Sequence, residues 1–193
     1  MGFPLVDSID RLCSNASVRR HLHALRFPLA ALCLALVIPW IKPEWFLPGL
    51  VVAAAGEAVQ IWCSASLSKN KLLAAKGPYA LVRNPMYLGR YLLLLGGVLM
   101  TASVAFVVGF SVVYYFYMVN RVRREEANLT AIFGERYRQY WARVNRFLPS
   151  LRNVAGADLL YFNWQLLLKN RGHLHLLAAV LAYGILASFT FVW

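Results

Sequence analysis

Arg83-Asn84-Pro85-Met86-Tyr87 places a fixed positive charge, an amide, a helix start and a phenol in one run, shortly after Gly77-Pro78-Tyr79. Asn is a favoured N-cap, because its side-chain oxygen accepts an orphan backbone N–H, and Pro at the first helical position gives up no bond the helix needs. Asn84-Pro85 therefore predicts a helix whose free N–H groups and positive dipole end lie beside Arg83, Tyr79 and Tyr87, which suits an anionic or carboxylate-bearing ligand. Further on, Arg121-Val122-Arg123-Arg124-Glu125-Glu126 sets two acids beside three arginines, and Arg146-Phe147-Leu148-Pro149 adds another cation. Each of these residues also has an ordinary reading. The arginines flank apolar runs as positive-inside residues do, Tyr79, Tyr87, Tyr114, Tyr115 and Tyr117 could pack in a bundle or an interfacial belt, and Glu125 and Glu126 could be solvated partners of neighbouring arginines.

The elements that must position these groups are apolar. Of 193 residues, 60% are hydrophobic and 15% charged, against roughly 45–50% and about 25% in soluble domains, so the chain is read as an all-α membrane bundle, one domain over residues 1–193. Its spans are predicted at about 22–41, 45–63, 85–100, 103–119 and 174–193, each near the roughly 20 residues a spanning helix needs or, for the middle two, short. Tyr91 to Val119 contains no charged residue, too long a run for one span. A hairpin turning at Thr101-Ala102-Ser103 divides it, with Gly96 and Gly97 allowing close helix contact. The first twenty residues hold Asp7, Asp10, Arg11, Arg19 and Arg20 before any apolar run, unlike a cleaved signal peptide.

Basic residues test this topology independently. With the N-terminus inside, four, five and ten Lys and Arg fall in the three cytoplasmic segments and only Lys42 lies opposite, the bias expected of cytoplasmic loops. The expectation is an integral membrane protein, in the inner membrane if bacterial, with N-terminus and active site cytoplasmic and the C-terminus on the other side. Topology and attraction to anionic membrane lipid account for the net charge of +12 without a nucleic-acid partner.

After the hairpin, Leu129, Ile132 and Phe133 share a helical face. Tyr137, Tyr140, Trp141 and Val144 then recur at i, i+3, i+4 and i+7, with Arg136, Arg138 and Arg143 elsewhere on the wheel. This predicts an amphipathic cytoplasmic helix, ended by Pro149, that lies on the membrane surface or covers a pocket.

Taken together, Gly-Pro-Tyr, Arg83-Asn84-Pro85-Met86-Tyr87-Leu88-Gly89, the apolar hairpin, Glu125-Glu126, Leu129, Phe133-Gly134, Tyr137, Tyr140 and Arg146-Phe147-Leu148-Pro149 resemble the integral-membrane methyltransferases related to isoprenylcysteine carboxyl methyltransferase and phospholipid N-methyltransferase. The resemblance covers about residues 69–149 and implies an S-adenosyl-L-methionine site there. Asn84 stands where that superfamily more often has His. By this resemblance Gly77, Tyr79, Arg83, Asn84, Pro85, Tyr87, Leu88, Glu125 and Glu126 are candidate cofactor-binding residues. An acid would take the ammonium, Arg83 or backbone N–H groups the carboxylate, and the tyrosines the sulfonium or adenine. Arg83, Glu126, Arg121 and Arg146 are the candidates for the chemistry. A carboxylate acceptor needs a cation such as Arg121 or Arg146, whereas an amine or thiol needs a proton acceptor such as Glu126. The acceptor itself is expected to be a lipophilic small molecule or lipid entering from the bilayer, and the Gly96-Gly97 region leaves room for a homodimer.

Two other readings stand beside this one: an NADPH-dependent membrane reductase of the sterol-reductase type, for which Arg121, Arg123 and Arg124 would be the phosphate cluster, and a non-catalytic lipid-binding protein. Glu57, with Gln60 one turn away in the second span, is either functional or a packed acid paired with a buried Arg, since an intramembrane acid is costly. His21, His23, His173 and His175 fall at span ends, two apart in each pair, and read as interfacial residues with no metal. Cys13, Cys33 and Cys63 show no CxxC spacing and read as reduced and structural.

Overall fold

A computed structural model of the chain describes residues 32, 35–68, 73–150 and 159–192. Among these residues the regular elements are all helical. A 3-10 turn (Ile38–Trp40) precedes α1 (Pro43–Ser66), α2 (Pro78–Leu81), α3 (Pro85–Leu99), α4 (Val104–Phe133), α5 (Glu135–Arg143), α6 (Trp164–Lys169) and α7 (Gly172–Phe191). Helices α1, α4 and α7 are long and apolar enough to cross a bilayer, and α3 is a shorter apolar helix. The chain is thus an integral membrane protein, and the apolar residues on the outer faces of α4 and α7, among them Val108, Val112, Leu177 and Leu181, face a medium that welcomes them. The span expected at 22–41 falls mostly outside the described residues, as do Cys13, Cys33, His21 and His23.

The pair α1 and α3 is the centre of the bundle, and small residues make it so. Gly49 meets Gly96 and Gly56 meets Gly89. A Cβ on Gly49 would lie 2.5 Å from the Gly96 carbonyl oxygen, and one on Gly56 would lie 2.3 Å from the Leu93 nitrogen. Backbones this close gain dispersion contacts along their length, which is how helices associate where lipid removes any hydrophobic advantage. Beside them α7 packs on α1. Phe46, Met100 and Leu186 form a buried cluster at one end, and the Tyr183 hydroxyl donates to the Leu93 carbonyl at 2.5 Å.

The hairpin between α3 and α4 turns where expected: Ala102 takes a φ of 54°, and Ser103 caps α4 by accepting from the Phe106 N–H at 3.4 Å. Helix α4 continues past the uncharged run as one rod of 30 residues to Phe133, because Asn120 to Phe133 contains no Gly or Pro to stop it. It stops at Gly134, whose φ of 53° is open to glycine at little cost. The amphipathic segment that follows is accordingly a separate helix, α5. The expectation that it runs on to Pro149 needs correction, since it ends at Arg143.

The segment leaving α5 runs beside the segment entering α3. The Arg83 N–H donates to the Asn145 carbonyl at 2.9 Å and the Ser150 N–H to the Leu81 carbonyl at 2.8 Å. On the other flank, Asn163 caps α6 by accepting from the Gln165 and Leu166 N–H groups. The Asn170 amide donates to the Ser64 and Leu67 carbonyls at 2.9 and 2.7 Å, satisfying acceptors that the end of α1 would leave orphaned.

Candidate active site

Helix α3 begins at Pro85 as expected, but the cap is different. The Asn84 side chain makes no bond to the first turn. Its amide nitrogen instead donates to Glu126 Oε1 at 3.4 Å, while its backbone carbonyl accepts from the Tyr87 N–H at 3.2 Å. Glu126, which is 7% exposed, draws it away. That carboxylate also takes Arg146 in a two-pronged contact, Nη2 to Oε2 at 2.5 Å and Nε to Oε1 at 3.3 Å, and Arg83 Nη1 lies 3.3 Å from Oε1. Glu126 therefore ties together three elements: α4, the start of α3 and the segment after α5.

Beside this node is a cavity of about 370 Å³, within the roughly 300–1,000 Å³ typical of small-molecule sites. Tyr79, Arg83, Asn84, Tyr87, Arg121 and Glu125 line it. Gly77, Pro85, Leu88, Glu126 and Arg146, also expected at the site, are not among its lining residues. Gly77 instead shapes the approach: its φ is 59°, and a Cβ there would lie 2.5 Å from Ser66 Oγ.

Arg83 is the residue whose state says most. Its side chain is 7% exposed, its guanidinium carbon sits 5.0 Å from the centre of the Trp141 ring, and Nε and Nη1 donate no hydrogen bond, although Glu126 Oε1 lies 3.3 Å from Nη1. Buried N–H groups of a cation are costly when unmatched, so the arrangement fits an anionic group in the cavity. Glu125, which also lines the cavity, accepts through Oε2 from the Tyr87 hydroxyl at 2.7 Å, leaving capacity for a cationic donor.

Residues the motif did not single out complete the enclosure. Arg90 and Tyr117 line the cavity together with Tyr137 and Tyr140, so α5 turns its aromatic face to cover a pocket, one of the two roles its periodicity allowed. The Tyr140 hydroxyl donates to the Tyr79 carbonyl at 2.7 Å. Burial pushes the Tyr137 phenol up to about 12, with the Glu126 charge adding to it, and burial likewise raises Tyr79 well above the usual phenol range. These phenols stay protonated at neutral pH and act as donors and ring surfaces, not as bases.

Residues 50–136 match the phospholipid methyltransferase family model. The chain is 30% identical over 104 residues to protein-S-isoprenylcysteine O-methyltransferase of Schizosaccharomyces pombe, covering 54% of this chain and 44% of that protein. It is 29% identical over 119 residues to the cobalt-zinc-cadmium resistance protein CzcN of Cupriavidus metallidurans, covering 61% and 55%. To methanethiol S-methyltransferase of Pseudomonas deceptionensis it is 38% identical over 80 residues, covering 42% and 29%. The chain thus spans about half the length of the first two of these relatives, and no solved structure matches it. The likeness to membrane methyltransferases carried by the motif is borne out, and the matched region takes in most of the cavity wall.

Proposed function

We propose that this chain is a membrane methyltransferase that uses S-adenosyl-L-methionine to methylate a lipophilic acceptor at the cytoplasmic face. The observation that carries the reading is the buried Arg83 guanidinium, ion-paired with Glu126 through Nη1 at 3.3 Å but donating no hydrogen bond from Nε or Nη1, in a cavity that also presents the Glu125 carboxylate. An amino-acid end offers both complements, its carboxylate to Arg83 and its ammonium to Glu125. When bound, the donor supplies an electrophilic methyl group on a sulfonium. The chain's own part is to hold and enclose: Tyr79, Tyr87, Tyr137 and Tyr140 offer ring faces to a cation or an adenine, and α5 excludes water from the reacting centre.

Glu126 takes a positioning role in this scheme, since its oxygens are occupied by Arg83, Arg146 and Asn84. Arg121 lines the cavity and is a cation available to an anionic acceptor. The cytoplasmic assignment rests on the distribution of Lys and Arg. The reductase reading required a cluster of Arg121, Arg123 and Arg124 at the cavity, and of these Arg121 alone is among its lining residues.

Calorimetric titration of the detergent-purified chain with S-adenosylhomocysteine, run beside NADPH, tests the proposal. Saturable binding of the former, weakened about tenfold or more in Glu125→Gln by loss of a charge-assisted contact, is the expected result. Binding of NADPH in its place, or of neither, overturns it.

A further inference from the structure

A second, smaller cavity of about 150 Å³ opens next to the first, and the two share Leu67, Met86 and Arg90 in their walls. Glu57, on α1 and 5% exposed, lines it. Glu57 Oε2 accepts from the Gln60 side chain at 3.2 Å, but Oε1 has no hydrogen-bond partner. A buried carboxyl oxygen without a donor is expensive in either protonation state, and within a membrane span such a group marks a ligand or proton path by default. Among the described residues no Arg forms an ion pair with Glu57, against the alternative of a packed acid paired with a buried Arg. Arg90 lines the same chamber, yet its guanidinium lies over the Tyr87 ring, 5.8 Å from the centre.

We infer that this chamber receives the polar end of the methyl acceptor, and that the group Glu57 takes there is a protonated amine. The inference rests on the methyltransferase reading above and narrows its substrate class. A carboxylate placed in the chamber could meet Arg90 but would leave Glu57 Oε1 unmatched and add like-charge repulsion. An ammonium gives that oxygen its missing donor and neutralises it. The chemistry then balances. The ammonium gives one proton to Glu57, and the freed nitrogen lone pair forms the new N–C bond. The S–CH₃ bond of the donor breaks with its electron pair passing to sulfur, and Glu57 later releases the proton to water. Helices α1, α3 and α7 wall the chamber through Glu57, Arg90 and His175, so an alkyl chain attached to the amine would extend from it among apolar helices.

The test is thermal unfolding of the detergent-purified full chain, followed by tryptophan fluorescence, in titrations with dodecylamine or with laurate. Each titration is run with and without saturating S-adenosylhomocysteine on wild type, Glu57→Gln and Glu57→Asp. The expected result is a saturable rise in Tm with dodecylamine and none with laurate. Glu57→Gln should reduce that rise at least fivefold while still binding S-adenosylhomocysteine, and Glu57→Asp should keep the preference for amine. Equal stabilisation of wild type and Glu57→Gln by dodecylamine, or stabilisation of wild type by laurate as large as by the amine, would overturn it. If Glu57→Gln does not fold, Glu57→Asp decides: loss of the preference for amine in a folded Glu57→Asp also overturns the inference. Failure of S-adenosylhomocysteine to bind wild type would remove the proposed function, whereas the titrations without it would still report on the chamber.

Discussion

Replacing Glu126 with Gln removes one charge and leaves the shape, so it separates two roles for this acid. If Glu126 is the counter-charge that assembles the site, its loss leaves Arg83 buried at 7% side-chain exposure with no neutralising partner. Breaking a buried pair from one side costs about 3–5 kcal/mol. The Arg146 contact adds little, since that side chain is 35% exposed and an exposed pair is worth about 0–1 kcal/mol. Gln also keeps an oxygen for Asn84. The expected destabilisation is therefore about 3 kcal/mol, which at about 2–4 °C per kcal/mol for a chain of this size lowers Tm by roughly 10 °C. Thermal unfolding in detergent reads this directly. In a double-mutant cycle with Arg83→Met, the double variant should be more stable than the sum of the singles by about 1–2 kcal/mol, because the unpaired cation is gone as well. A Tm within about 2 °C of wild type, combined with lost affinity for S-adenosylhomocysteine, would refute the reasoning and return Glu126 to the ligand-binding role the motif implied.

Gly56→Leu drives a side chain into the Leu93 backbone nitrogen, 2.3 Å from where its Cβ would lie. It should cost 3 kcal/mol or more, beyond the ~1–3 kcal/mol of ordinary overpacking. Gly109→Leu, with nothing within 4 Å, should leave Tm within about 2 °C, since a surface change away from such features stays near ±0.5 kcal/mol. Asn170→Ala strips donors from two carbonyls at the end of α1 and should destabilise by about 2–3 kcal/mol; a loss under about 0.5 kcal/mol would mean that water replaces the amide. Tyr137 is held protonated up to about 12, above the ~10 of a free phenol. Its contribution to stability is therefore fully present below pH ~10 and is lost as pH rises from about 10 to about 12. A Tm profile in which Tyr137→Phe differs from wild type in its decline below pH ~9 would contradict that assignment.

Composition and motif spacing placed the helical class, the turn at Thr101-Ala102-Ser103 and the start of α3, because each rests on a local property: apolar content, an uncharged run too long for one span, and Pro at the first helical position. They also brought Arg83, Tyr87 and Glu125 to one cavity, since the resemblance supplies the long-range pairing that periodicity lacks. What they could not give was the division of labour between adjacent acids. Glu125 and Glu126 differ by about 100° around one helix, which turns one to the cavity and the other to Arg146, and only the placement of the segment after α5 decides which is which. The glycine pairing of α1 with α3 was half visible. Gly96 was marked as permitting close contact, but its partner Gly49 lies in a run with little amphipathic pattern, where no face stands out. Asn170 and the chamber around Glu57 draw on residues from three distant parts of the chain, so sequence spacing holds no signal for them.

Under the proposed function, helix α4 relates the depth of a soluble donor to that of a lipophilic acceptor. Its 30 residues extend about 45 Å at 1.5 Å per residue, longer than the ~30 Å hydrocarbon core. The uncharged stretch ends at Val119, and Arg121 begins the polar one. Glu125 is six positions beyond Val119, roughly 9 Å along the axis, which puts the larger cavity at headgroup depth, where water and a charged donor have access. Glu57 lies the opposite way. It is nine positions before the end of α1 at Ser66, roughly 13–14 Å back along that helix, so the smaller chamber reaches toward the apolar layer. The two chambers meet at Leu67, Met86 and Arg90. A continuous α4 and the closely packed glycines of α1 and α3 hold that junction in place, so that under the proposed function a donor in the larger cavity meets an acceptor's polar end at Glu57 while the acceptor's chain stays among the apolar helices.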